Sequence, residues 1–203
     1  MRQKTLDDED IEIETNDQAV VFSEPQLSYV HTAFIDKTIG EPSQYRKLFH
    51  ILRNAGENDI VKIHINSLGG LLSTGVALMN AIYMCQATTL AIVDFEAVSA
   101  ATLPVMACDK VIMMPGSYLM IHHAKFGSGM DTVSRVRDKI GFTTKYLDET
   151  ITGIYEGFLT DDEIHNVIEN SKELFFTAEE VEERLENRNK YFEKLENKGD
   201  ESD

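Results

Sequence analysis

Apolar and polar residues alternate from Ile60 to Ser67, with Val61, Ile63 and Ile65 set against Lys62, His64 and Asn66. A strand turns successive side chains to opposite faces, so this period of two predicts a strand with one buried side. "AFIDKTIG", residues 33–40, alternates in the same way and predicts another. In "PSQYRKLFHILRNAG", residues 42–56, Tyr45, Leu48, Phe49 and Leu52 recur at three- and four-residue spacing, which predicts a helix closed at Gly56. "STGVALMNAIYMC" reads as a second helix, "TTLAIVDF" as a short buried strand, and "ATLPVMACD" as a short helix. "KVIMMP" and "SYLMIHH" add two strands. The order β, α, β, α, β, β favours a mainly parallel sheet covered by helices.

From Val133 the period lengthens. Val133, Val136, Ile140, Leu147, Ile151, Ile154 and Phe158 fall on one face of a single long amphipathic helix. Such a helix outruns one small sheet, so part of its stripe is expected to meet another subunit, with Ile151 and Ile154 as contact residues. Two further helices carry capping-box spacing, Thr160 with Glu163 and Thr177 with Glu180. No repeat or linker splits the chain. The expected division is an acidic N-terminal arm at 1–22, one folded domain at 23–187 and a charged tail at 188–203.

Composition narrows the functional classes. The net charge of −16 argues against nucleic acid as a partner, since phosphate binding needs clustered Lys and Arg. The acids gather at the two ends, in "DDEDIEIETND" and "EEVEERLENRNKYFEKLENKGDESD". No run approaches the ~18 to 20 apolar residues of a membrane helix, and the acidic start has no secretory apolar region. No membrane association and a cytoplasmic location are therefore expected. Cys85 and Cys108 have no metal-ligand spacing, so reduced buried thiols are expected, with no metal and no cofactor.

Three stretches carry candidate chemistry, and a parallel sheet brings them to one edge, where the carboxyl ends of its strands lie. "INSLGG", residues 65–70, leaves a strand and opens a helix, and its glycines allow close backbone approach with outward N–H groups. By itself it is equally a tight turn. Ser99, in "DFEAVSAATLP", stands at another strand-to-helix junction with only small neighbours. It serves either as a helix cap or as a nucleophile with room for substrate. "MIHH" offers the base a serine needs, and adjacent strand residues diverge, so only one of His122 and His123 faces Ser99.

In this order "INSLGG", "AVSAA", "MIHH" and "FFTAEEV" resemble the ClpP peptidase family, whose own strings are close to INSPGG, QAASMG, MIHQP and FLTAEEA. The similarity spans roughly residues 28–187. It implies the ClpP/crotonase fold: repeated β-β-α units, a mainly parallel sheet, a protruding handle helix and an extended N-terminal arm. Matched residue by residue, Ser99 falls on the catalytic serine and His122 on the base. Gly70 and Ala100 fall on the positions whose amides form the oxyanion hole. The family's aspartate falls on Glu173, one methylene longer, with Asp131 and Asp138 as rival acids. Gly69, Leu71, Lys125, Phe126 and Gly127 match substrate-side positions, the last three in "AKFGSGMDT", which resembles the strand and loop that lie beside an extended substrate. Lys172 replaces an arginine that helps pair rings, and Leu68 replaces a proline.

The resemblance implies a serine endopeptidase acting on unfolded polypeptides inside a homo-heptameric ring, or a double-ring tetradecamer. Such chambers depend on a separate AAA+ unfoldase, and no GxxxxGK[ST] occurs in this chain. The departures fit a divergent, phage-type member, including one that processes capsid proteins. A non-catalytic ring scaffold and a crotonase-like acyl-CoA enzyme are the other classes compatible with the fold.

Overall fold

A computed structural model describes residues 15–16, 19–20, 28–124 and 132–199. Of the expected N-terminal arm it describes one short antiparallel pairing, β1 (Thr15–Asn16) with β2 (Ala19–Val20). The chain then alternates strands and helices: β3 (Val30–Ile35), α1 (Arg46–Asn54), β4 (Ile60–Ser67), α2 (Leu72–Tyr83), β5 (Thr88–Val98), α3 (Thr102–Ala107), β6 (Lys110–Met113) and β7 (Tyr118–Ile121). The long helix α4 (Val133–Tyr155) follows, then α5 (Asp161–Glu169), β8 (Leu174–Thr177) and α6 (Ala178–Gly199). Helix α6 runs unbroken through residue 187, where the sequence pattern places the start of a tail.

The six-stranded sheet is ordered β3-β4-β5-β7-β8, with β6 also paired to β5. All its pairings are parallel except β7 with β8. The alternation in β4 is realised as expected: Val61, Ile63 and Ile65 are fully buried, and Lys62, His64 and Asn66 lie on the opposite face. Strand β5 is the organising element. Its first half pairs β6, Leu90 to Val93 against Lys110 to Met113, and its last residues pair β7, Glu96 to Val98 against Tyr118 to Met120. Against β4 the register steps from Ile65↔Val93 to Ser67↔Ala97, so β5 carries extra residues around the exposed Asp94 and Phe95. The strand therefore outlasts the apolar run that announces it, and delivers the chain directly into Ser99.

The helix ends follow the sequence signals. Thr160 and Glu163 form a reciprocal capping box on α5. The Thr177 amide donates to the Glu180 carboxylate at 2.8 Å at the start of α6. Helix α6 is clasped to α5, to α3 and to the end of α4 with the turn after it. Arg184 donates two hydrogen bonds of 2.8 Å to Glu163 and one of 3.0 Å to the Phe158 carbonyl. Arg188 donates to the carbonyls of Met106 and Ile154, and Tyr191 donates to Glu156.

The apolar stripe of α4 divides along its length. Leu147, Ile151, Ile154 and Phe158 are buried in this chain's own core, whereas Val133 and Ile140 are exposed and Val136 is half-buried. Assigning Ile151 and Ile154 to a subunit contact is thus corrected: both face inward, because the C-terminal half of α4 packs beside α3. The exposed apolar residues of α4 are Val133, Ile140, Phe142 and Tyr146, the last two with stacked rings.

Candidate active site

The first motif forms a tight turn between β4 and α2. Gly69 and Gly70 have φ of 85° and 150°, values that side chains rarely tolerate. The turn is pinned from below by Ser67, whose buried hydroxyl donates to the Lys37 carbonyl at 2.6 Å and accepts from the Gly69 amide at 3.1 Å. On one side Gly70 pairs with Ile39: the Ile39 amide donates to the Gly69 carbonyl and the Leu71 amide to the Ile39 carbonyl. These bonds leave the Gly70 N–H itself outside the ladder.

Ser99 leaves β5 with φ of 56°, in the left-handed region, and opens a 3-10 turn that leads into α3. A non-glycine residue there carries strain on the order of 1–2 kcal/mol, and such strain gathers at functional sites. The turn leaves the Ala100 N–H without an intrahelical acceptor. Gly75 on α2 lets the turn come close: a Cβ there would stand 2.9 Å from the Ala100 carbonyl oxygen.

These pieces meet. Ser99, Ala100, Gly70, Leu71 and His122 line one cavity of about 380 Å³, completed by apolar side chains of α4 that include Ile151 and Ile154. His123 is outside that lining. Its Nε2 lies 3.2 Å from Asp148 Oδ1 on α4 and its Nδ1 3.1 Å from the Ala124 carbonyl. His122 thus shares the cavity lining with Ser99, and His123, also just past the end of β7, contacts α4. Gly69 supports the turn from outside the cavity lining.

Glu173 is exposed and does not line the cavity. Strand β8 runs antiparallel to β7 and the ladder ends at Ile121 opposite Leu174, so His122 and Glu173 are the first residues outside it on either strand. Asp138 is exposed on α4. Lys125, Phe126, Gly127 and Asp131 lie outside the described residues. Among the described residues no three His, Cys, Asp or Glu side chains gather as a metal-binding group, and no helix is long and apolar enough to cross a membrane.

Several supporting residues escape sequence reasoning. Ser67 and Gly75 had local signals, a hydroxyl inside the glycine motif and a glycine inside an apolar helix. Thr102 and Tyr155 had none. Their hydroxyls meet at 2.5 Å across 53 residues of chain, and Thr102 also donates to the Ser99 carbonyl at 2.7 Å. Burial pushes the Tyr155 hydroxyl up to about 12, so it is protonated at any physiological pH.

A serine on a strained strand-to-helix turn, sharing a cavity with a histidine and two unladdered amides, is an arrangement suited to acyl transfer. The model of the Clp protease family matches residues 31–184, and the chain belongs to that family, the ClpP-type peptidases. No curated protein gives a significant match to the chain.

Proposed function

We propose that this chain is a serine endopeptidase of ClpP type that hydrolyses unfolded polypeptides. Ser99 Oγ attacks the scissile carbonyl carbon while His122 takes its proton, and the oxyanion that forms accepts hydrogen bonds from the amides of Gly70 and Ala100. His122 then returns the proton to the leaving amine. Water, deprotonated by the same imidazole, releases the acyl group from Ser99. Glu173, like His122 the first residue outside the β7–β8 ladder, orients the ring and steadies the imidazolium.

The observation that carries the reading is the left-handed turn at Ser99 opening onto the cavity shared with His122, Gly70 and Ala100. The apolar walls from α4 favour an apolar side chain next to the scissile bond. The chain's family argues for a heptameric ring or a tetradecameric double ring, with the N-terminal arm at the axial entrance and α4 as the handle between rings. An AAA+ unfoldase would feed it in the cytoplasm. The exposure of Glu173 favours one second reading, a ring protein whose catalytic acid has drifted and whose role is structural.

A fluorophosphonate probe separates the two. Labelling of the wild type, lost in Ser99→Ala and strongly slowed in His122→Ala, is the expected result. A wild type that stays unlabelled in its assembled form would overturn the peptidase.

A further inference from the structure

We infer that Thr102 and Tyr155 form a hydrogen-bonded relay that aims and strengthens the Ala100 amide as an oxyanion donor. The inference rests on the peptidase reading and assigns two positioning residues to it. Its basis is the geometry of one peptide unit. The carbonyl of Ser99 and the N–H of Ala100 belong to the same planar amide and point in opposite directions. Whatever holds the Ser99 oxygen therefore fixes where the Ala100 N–H points.

That oxygen is held by Thr102 twice, through its backbone N–H and through its hydroxyl at 2.7 Å. Thr102 has a single hydroxyl proton, and the bond to Ser99 uses it. The contact of 2.5 Å to Tyr155 must then run the other way, with the Tyr155 hydroxyl donating to Thr102 Oγ1. The chain of donors is Tyr155 to Thr102 to the Ser99 carbonyl, and both side chains are buried. Each bond polarises the next, and a carbonyl that accepts more strongly leaves its own peptide N–H a stronger donor. Thr102 holds the Ser99 oxygen from the side of the amide opposite its N–H and is not among the residues that line the cavity. It also holds Ser99 in its left-handed conformation against the pull toward ordinary backbone.

The relay further couples the turn to α4, because Tyr155 is the last residue of that helix and also lines the cavity. A shift of α4 along its axis would draw the Tyr155 hydroxyl away from Thr102 and release the donor.

The test uses the assembled full-length protein, a short fluorogenic peptide amide with an apolar residue before the scissile bond, and the fluorophosphonate probe. Thr102→Val keeps the shape and removes the hydroxyl, Thr102→Ser restores it, and Tyr155→Phe removes only the distal donor. Losing an oxyanion donor outright typically costs ~10²–10³ in rate, so misaiming one should lower kcat by about tenfold in Thr102→Val, with KM within about twofold. Thr102→Ser should return kcat to within about threefold of wild type, and Tyr155→Phe should fall between. Folded Thr102→Val and Tyr155→Phe variants with wild-type kcat, or losses that appear in KM alone, would overturn the relay while leaving the peptidase standing. If Thr102→Val does not fold, Tyr155→Phe and Thr102→Ser decide by the same split between kcat and KM. A wild type that neither takes the probe nor cleaves the peptide, like Ser99→Ala, removes both the relay and the peptidase.

Discussion

A Cβ on Gly69 would stand 2.9 Å from Cβ of Ser99 and 3.0 Å from the Ala100 amide nitrogen. The two motifs thus touch through a missing side chain, and that contact fixes the spacing between the paired amides and the serine. Gly69 also has a φ of 85°. Gly69→Ala should therefore displace the Ser99 turn, lower probe labelling more than tenfold, and destabilise the fold by about 1–2 kcal/mol from the backbone term alone. Labelling rates and urea midpoints measure both. Unchanged labelling would show that the turn tolerates the displacement.

The strained backbone at Ser99 exchanges stability for reactivity. Two inactive variants isolate this. Ser99→Gly should be more stable than Ser99→Ala by about 1 kcal/mol, because glycine adopts the left-handed region freely and alanine does not. Chemical denaturation of both variants compares them directly, and equal stability would mean that the turn relaxes when the hydroxyl is removed.

Glu173 immediately precedes Leu174, which closes the β7–β8 ladder opposite Ile121. If it orients the imidazole, Glu173→Gln should lower kcat by about 10²- to 10⁴-fold with little change in KM. Glu173→Asp, the residue usual in the family, should keep most activity. A Gln variant with full kcat would pass the role to another acid.

Acid stability should depend on the clasp between α5 and α6. Partial burial pushes the Glu163 carboxyl up, but hydrogen bonds from Arg184 and Thr160 outweigh this and hold it below the ordinary glutamate value of 4.5. A carboxyl lowered in the folded state stabilises above its unfolded value, and that contribution disappears as pH falls through the lowered one. Glu163→Gln should be less stable than wild type at neutral pH, and the gap should close below pH 4.5. Urea midpoints across that range check the sign, and a constant gap would assign the clasp to packing.

Assembly should depend on the exposed half of α4. Replacing Ile140 and Phe142 with charged residues should yield smaller species in sedimentation velocity with unchanged thermal stability of the subunit. Ile151→Asn should instead unfold the chain, since removing a buried aliphatic side chain alone costs ~2–5 kcal/mol. Normal assembly of the Ile140 and Phe142 variants would move the contact elsewhere.

Local pattern marked most elements but not their bounds: the strand read over residues 33–40 is Val30–Ile35, and the helix read from residue 42 begins as a 3-10 turn and turns α-helical at Arg46. Alternation marked β4, three- and four-residue spacing marked α1, and the hydroxyl-to-glutamate spacing marked both capped helices, because each depends on near neighbours in the chain. The glycine pair, Ser99 and the two histidines stood out as short motifs near strand ends, but their local pattern left their roles open and the family resemblance assigned them; the structure sets Gly70, Ser99 and His122 on one cavity. The tertiary structure alone decided the rest. The extra length of β5, which puts Ser99 at the junction, comes from pairing successively with β6 and β7. The division of the α4 stripe into a buried half and an exposed half depends on where α3 lies. The bond from Tyr155 to Thr102 joins residues that share no local pattern. A sequence records which faces are apolar and which turns are tight; which distant surfaces meet is settled only by packing.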